Sequence, residues 1–436
     1  MPFSTLGLSP SLLLAISQKQ YLAPTAIQTA AIPAILRGDD VLASAQTGSG
    51  KTAAFVLPIL QRLLNQPAQQ AQRSASANSR KNPRALILVP TRELAMQVGQ
   101  TLEQFAHGLS TSLNSPLKIS TLFGGVSINP QMMALRGGAD IVVATPGRLL
   151  DLIDHNALSL SAVAMLVLDE ADHLLDLGFS DEITRILSLL PKQRQNLFFS
   201  ATFPSKVQTL TKTILKHPIR IAVPAALTDD INNSADNTSA ITQRAIAVDA
   251  KRRTQLLVYL FREHQWSRVL VFVATKYSAD YVAEKLRRAG ISAAAFHGEL
   301  SQGLRNQTLA EFKNSKLQVV VATDIAARGI DITQLPVVLN YDLPRSAVDY
   351  THRIGRTGRA GESGIAISFI TAETEAHFRL IEKRHGLLCP REQIAGFEPT
   401  ELMGTASAAT PQLANGGIKG KRKSKKDKLR EAAAQS

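Results

Sequence analysis

Ten short apolar runs decide what kind of fold is open to this 436-residue chain. Five lie in its first half: DVLAS (40–44), ALILV (85–89), DIVVA (140–144), AMLVL (164–168) and NLFF (196–199). Five more follow: VLVFV (269–273), AAAF (293–296), QVVVA (318–322), PVVLN (336–340) and IAISFI (365–370). Each leads through a loop into a stretch with helical spacing. Continuous rather than alternating apolarity means strands covered on both faces, the pattern of a parallel sheet flanked by helices. The expected class is therefore α/β, with two doubly wound parallel-sheet domains at 1–223 and 241–385. Between them PAALTDDINNSADNTSA (224–240) loses periodicity and fills with Asn, Asp and Ser, as a flexible linker does. A second polar insert, NQPAQQAQRSASANSRKNP (65–83), reads as an exposed loop. Residues 386–436 read as a C-terminal extension, and from Thr405 onward they are too poor in apolar residues to fold alone.

The bulk numbers narrow the partners. A hydrophobic content of 44% supplies material for cores and excludes a disordered chain. No apolar run reaches the ~18 residues of a membrane span. No basic segment or small-residue cleavage site flanks Leu12–Leu14 as in a secretory leader, so the chain reads as cytoplasmic. The single cysteine, Cys389, allows no internal disulfide and no cysteine-built metal cluster. Lys and Arg outnumber Asp and Glu by 49 to 35, a net +14 that points to a polyanionic partner. Half of that excess sits in KGKRKSKKDKLR (419–430), with eight basic residues and one acid, which reads as an electrostatic tether for structured nucleic acid.

The first run ends in AQTGSGKT (45–52), followed by the helix-compatible AAFVLPILQRLL. Strand, glycine-bearing loop, Lys-Thr and helix in that order make a phosphate cradle. Gln46, Thr47, Gly48, Ser49 and Gly50 turn backbone amides inward, the helix dipole adds positive potential, and Lys51 brings a full charge to the β and γ oxygens of a triphosphate. Thr52 is placed to bind Mg²⁺. Ala45 stands where the strict pattern asks for glycine.

The run at 164–168 ends in DEADH, with carboxylates at Asp169, Glu170 and Asp172. So close together they repel, and one holds a proton unless a cation sits among them. A triphosphate-bound Mg²⁺ is that cation: Asp169 holds it, and Glu170 orients and deprotonates a water for attack on the γ-phosphorus. Asp172 stands behind them.

With these motifs in place the chain resembles the DEAD-box family of ATP-dependent RNA helicases over roughly residues 3–390. YLAPTAIQ (21–28) is similar to the family's Q motif, and the resemblance implies that Gln28 reads the adenine edge while Tyr21 stacks on the ring. PTRELA (90–95), FGG (123–125) and TPGR (145–148) then imply RNA-backbone contacts by Thr91, Arg92, Gly125, Thr145 and Arg148. In SAT (200–202), Ser200 and Thr202 are implied to bond the acidic motif. HGELSQGLR (297–305), ATDIAARGID (322–331) and HRIGRTGR (352–359) continue the series. They imply RNA contacts at Thr275 and Thr323, nucleotide contacts at Gly329 and Asp331, interdomain coupling through His352, and arginine fingers at Arg356 and Arg359. The implied architecture is two tandem RecA-like domains that build the ATP site on closure. GGVSINPQMMALRGG and the basic tail are most similar to the bacterial RhlE-type subgroup. His173 stands where an arginine often follows the acidic motif.

Phosphate and sugar contacts carry no sequence code, so RNA binding is expected to be nonspecific. The partners that fit are RNA and ribosome or RNA-decay components. A noncatalytic ATP-gated RNA clamp and a DNA translocase are the rival readings; Glu170 with both arginines disfavours the first, and the Q motif with SAT disfavours the second.

Overall fold

The structure is a computed structural model describing residues 2–45, 49–65, 82–109, 117–222, 241–327, 335–358 and 363–400. Two seven-stranded parallel sheets organise it. The first takes β1 (Val41–Ser44), β2 (Ala85–Leu88), β3 (Ile119–Leu122), β4 (Ile141–Ala144), β5 (Met165–Leu168), β6 (Gln195–Ser200) and β7 (Ile219–Ala222), in the order β3-β4-β2-β5-β6-β1-β7. The second takes β8 (Ile241–Ala247), β9 (Val269–Val273), β10 (Ala293–Phe296), β11 (Val319–Thr323), β12 (Val337–Asn340), β13 (Gly364–Ile370) and β14 (Arg391–Glu392), in the order β10-β11-β9-β12-β13-β8-β14. Every apolar run anticipated from the sequence is a strand, and the doubly wound class holds.

Period two divides each strand between two cores even though nearly every side chain is apolar. Ile87, Val143, Val167 and Phe199 face one cluster with helices Ala26–Arg37, Lys51–Asn65 and Arg92–His107. Their neighbours Leu86, Val142, Leu166 and Phe198 face the other, with helices Pro146–Asp154 and Ser180–Leu189. Burying both faces leaves the carboxyl ends of the strands as the place where the chain emerges. Ligands of open α/β sheets bind there, where the strand order reverses.

The second sheet extends past the boundary expected at 385. Arg391 and Glu392 pair with Ala245 and Ile246 of β8. Arg391 also bonds Glu375 at 2.9 Å and Glu382 at 2.8 Å, so residues 386–392 belong to the second domain's packing. The cause is ionic and hydrophobic together, since Cys389 is buried against Tyr350 and Phe378. The linker (224–240) and the basic tail lie outside the described residues. No described helix is long and apolar enough to cross a membrane.

Candidate functional site

The phosphate cradle begins where β1 ends. Ala45 N–H donates to the Ser200 carbonyl at 3.1 Å, holding the β1 exit beside the β6 exit. Gly50 has φ +93°, and a Cβ there would come within 2.5 Å of Gln28 Nε2, so position 50 admits only glycine. Gln28 bridges two segments: its Nε2 donates to Gly50 O at 3.1 Å, and its Oε1 accepts from Thr25 N at 3.0 Å as part of the capping box that starts the helix at Ala26. The amide carries one further N–H for a ligand. Tyr21, 39% exposed, makes edge contacts with Phe3 and Phe105 at 6.4 and 5.9 Å between centroids. Gln46, Thr47 and Gly48 lie outside the described residues, as do Gly329, Asp331 and Arg359.

Lys51 and Thr52 open the following helix. Lys51 is buried, and its Nζ has no hydrogen-bond partner among the described residues. A buried ammonium in that state is costly unless an anion meets it. The acids opposite show the complementary defect. Burial pushes the Asp169 carboxyl up to about 6 against the pull of Lys51. A cation beside Asp169 and an anion beside Lys51 would relieve both strains, so these residues fit a magnesium-bound triphosphate.

Glu170 behaves differently. Its backbone is left-handed (φ 49°, ψ 51°), an uncommon conformation for a non-glycine residue, and its N–H donates to Asp169 Oδ1 at 2.9 Å. Burial opposes its ionised form, but His173, Lys51 and Arg356 together hold its carboxyl at about 2. A carboxylate held that low is a good acceptor for orienting water and a feeble base.

Asp172 is tied down as an internal acceptor. Its Oδ2 takes Thr202 N at 2.9 Å and Thr202 Oγ1 at 2.8 Å, its own N–H reaches Ser200 Oγ at 3.3 Å, and Ser200 Oγ donates to Thr202 O at 2.7 Å. A movement of the acidic turn is thus felt directly at the end of β6. Across the cleft, the helix Ala347–Ile354 and the turn after it bring in the second domain. Glu170, Asp172, His173 and Thr202 from one side, with His352 and Arg356 from the other, line one cavity of about 380 Å³.

The nucleic-acid candidates divide. Thr91 caps its helix, accepting from Leu94 N at 3.2 Å, and Thr275 does the same for Ser278 N at 3.0 Å. Thr145 precedes a helix and Thr323 ends β11. Gly125 has φ +75°, and a Cβ there would sit 2.0 Å from the Arg92 guanidinium, so glycine is what lets Arg92 lie over the loop. Arg148 is 8% exposed and donates through Nη2 to Val126 O at 2.7 Å, while its Nε and Nη1 have no hydrogen-bond partner among the described residues.

A clasp between the domains went unseen in the sequence. Glu93 Oε1 accepts from Arg305 Nη2 at 2.9 Å and from Gln302 Nε2 at 3.1 Å. Gln302 and Arg305 are three apart on one helix, spacing that places them on one face and was the available signal. Arg353, in HRIGRTGR, was also passed over. It forks onto Asp324 at 2.6 and 2.7 Å and bonds Asn340 at 3.0 Å, a structural brace distinct from its neighbour Arg356.

Known proteins share these features. Residues 25–210 match the DEAD/DEAH box helicase family model, and residues 252–361 match the helicase conserved C-terminal domain. The ATP-dependent rRNA helicase RRP3 of Gibberella zeae is 38% identical over 380 residues, which is 87% of this chain and 73% of that protein. The ATP-dependent RNA helicase DeaD of Mycobacterium tuberculosis is 38% identical over 383 residues, 87% of this chain and 63% of its own length. Among solved structures, S. cerevisiae Dbp5 bound to RNA and ADP BeF3 gives a TM-score of 0.73 at 28% identity, covering 92% of this chain and 96% of that one. A single-substitution variant of the same yeast protein, bound to Nup159, a Gle1 variant, IP6 and ADP, gives 0.58 at 29% identity, covering 91% of this chain and 96% of that one. Cradle, acidic turn, cross-cleft arginine and coverage of both domains agree, and the chain belongs to the DEAD-box RNA helicase family.

Proposed function

We propose that this chain is an RNA-stimulated ATPase that separates short RNA duplexes locally when its domains close and releases RNA on hydrolysis. The observation that carries it is the shared cavity: Glu170 and Arg356 come from different domains and line one space near Lys51, which is buried without a hydrogen-bond partner among the described residues. The relatives' names and the RNA and ADP BeF3 in the yeast structure support the same reading.

The residue roles follow. Tyr21 and Gln28 take the adenine, the loop from Gln46 to Gly50 cradles the phosphates, and Lys51 neutralises β and γ oxygens. Thr52 and Asp169 would hold a magnesium ion, which would supply positive charge to offset that of the phosphates. Glu170 orients the attacking water, while Arg356 and Arg359 stabilise charge on the transferring phosphoryl group. Gly329 and Asp331 complete the nucleotide side, and Asp172, Ser200, Thr202 and His352 couple the domains. Thr91, Arg92, Gly125, Thr145, Thr275 and Thr323 face the RNA backbone. Arg148 supports the FGGV loop there.

A closure worth ~8–12 kcal/mol against ~1.4 kcal/mol per stacked pair step opens only a handful of pairs per cycle. The finer reading is a cytoplasmic RhlE-type enzyme with a first domain at 1–223, a linker at 224–240 and a second domain that starts at 241 and runs past 385 to take in β14. It serves ribosome or RNA-decay complexes, and 419–430 tether structured RNA. Removing 419–430 flattens the salt dependence of RNA binding, because fewer counterions are released; an unchanged slope removes the tether. The primary test is Glu170→Gln. ATP and RNA binding persist and RNA-stimulated hydrolysis falls at least about a hundredfold, whereas wild-type turnover in the variant refutes the assignment.

A further inference from the structure

Glu170 faces a positional problem. Its backbone sits in the left-handed region, its side chain has three rotatable bonds, and a water held for in-line attack tolerates little wander. One turn further on, His173 is buried at 5% exposure with Nδ1 3.4 Å from Glu170 Oε2. Its other ring nitrogen, Nε2, is buried without a hydrogen-bond partner among the described residues, and the ring lines the cavity shared with His352 and Arg356. The backbone of His173 is fixed independently, its N–H donating to Asp172 Oδ1 at 3.1 Å. Asp172 in turn is held by Thr202. The imidazole is therefore anchored to the element that links the acidic turn to β6, while its edge reaches the carboxylate that must be aimed.

A histidine that only filled space would not need its polar edge against Glu170. The carboxylate accepts, so Nδ1 carries the hydrogen toward it, and Nε2 lies on the far edge of the ring without a hydrogen-bond partner among the described residues. At 3.4 Å the contact is at the long end of hydrogen-bond range.

We propose that His173 is a positioning residue for hydrolysis: its Nδ1–H fixes the Glu170 carboxylate in the orientation that holds the attacking water. This rests on the ATPase reading above. The role belongs to kcat, since His173 has no contact with the cradle at Gly50 and Lys51 among the hydrogen bonds described.

The test compares His173→Leu, His173→Asn and Glu170→Gln in the full chain, with RNA-stimulated ATPase kinetics and RNA affinity measured in ADP–beryllium fluoride. H173L lowers kcat roughly ten- to a hundredfold, the cost of misplacing a reacting group, with the KM for ATP and the RNA affinity within about threefold of wild type. Asparagine places an amide N–H near the position of Nδ1, so H173N recovers at least half of the logarithmic loss. In the E170Q background, H173L adds less than about threefold, because the group it aims is already gone. An H173L kcat within about threefold of wild type overturns the inference. Equal losses in H173L and H173N overturn it too, by marking a packing role, as does full additivity with E170Q. In each of those cases wild-type turnover stands and the ATPase reading survives. A wild-type chain without RNA-stimulated turnover fails that reading, and the positioning role falls with it.

Discussion

Breaking the clasp between Glu93 and Arg305 isolates closure from chemistry. Both side chains are about 5% exposed and neither touches the phosphate cradle. Arg305 also lies over the Phe296 ring at 5.1 Å, so its guanidinium is seated in its own domain and only Glu93 comes from the other. Arg305→Met leaves Glu93 with Gln302 alone. Truncating one partner of a buried ion pair costs about 3–5 kcal/mol when the survivor stays buried. Here the survivor can escape into water by opening the cleft, so the loss falls on the closure equilibrium and leaves folding nearly unchanged. Gln302 keeps one hydrogen bond, which trims the estimate to about 2–4 kcal/mol, roughly thirty- to a thousandfold in closure at about 1.4 kcal/mol per decade. Glu93→Gln acts through the opposite survivor, because the Arg305 guanidinium then faces Arg92 without its counter-charge. The assay is RNA affinity by fluorescence anisotropy with ADP–beryllium fluoride, beside ATP affinity without RNA and thermal melting. Single variants lose RNA affinity by the stated factor, keep ATP affinity, and melt within about 2 °C of wild type. Replacing both partners with Met and Leu recovers more than half of the loss, since no charge is then stranded. A single variant with RNA affinity within about threefold of wild type, or one losing as much without nucleotide, refutes the reasoning.

Two further outcomes follow from local geometry. Gly125→Ala forces a side chain onto a left-handed residue and against the Arg92 guanidinium, costing about 1–2 kcal/mol in backbone conformation alone; RNA affinity falls about tenfold with ATP affinity kept, and unchanged RNA affinity would take Arg92 off the RNA face. In the second domain, Arg391 and Arg379 draw the Glu375 carboxyl below its ordinary value against burial, and Arg391 does the same for Glu382. Because these folded-state values are depressed, their stabilisation is complete above the unfolded value of about 4.3 and is lost as pH falls through the folded ones. Melting of wild type is flat above pH ~5 and drops in acid, Arg391→Met lowers the plateau and flattens the drop, and parallel pH slopes would contradict it.

What was legible in the sequence and what was not separates along one physical line. Central strands such as β2, β4 and β5 are buried on both faces, so four apolar letters in a row announce them. Strands β3 and β7 sit at sheet edges, where one side is wet. ISTL alternates and IRIA is largely exposed, and neither carries that signature. β8 begins with the polar ITQR and gains its place from pairing with β13 over seven residues. β14 is two residues long and is held by Arg391 reaching back to Glu375 and Glu382, which no strand periodicity encodes.

The same line runs through the site. A phosphate cradle is local: strand, loop and helix are consecutive, so Lys51 and Thr52 could be read from eight adjacent letters. The acidic turn is local as well, and its repulsion is visible as charge density in the sequence alone, whereas the nearness of Lys51 is not. The clasp joins Glu93 to a residue 209 positions away, across a domain boundary, and each partner alone is an ordinary surface-type side chain on an amphipathic helix. Its signal exists only once the two sheets are placed. Arg148 and Arg353 differ in how their guanidinium groups are used. Arg353 is spent inside the protein on Asp324 and Asn340, whereas Arg148 gives one N–H to Val126 and keeps Nε and Nη1 without a hydrogen-bond partner among the described residues. Charge in a motif marks where the backbone must be held as often as where a ligand binds. Burial and the partners within each domain distinguish the two, and neither is written in the motif itself.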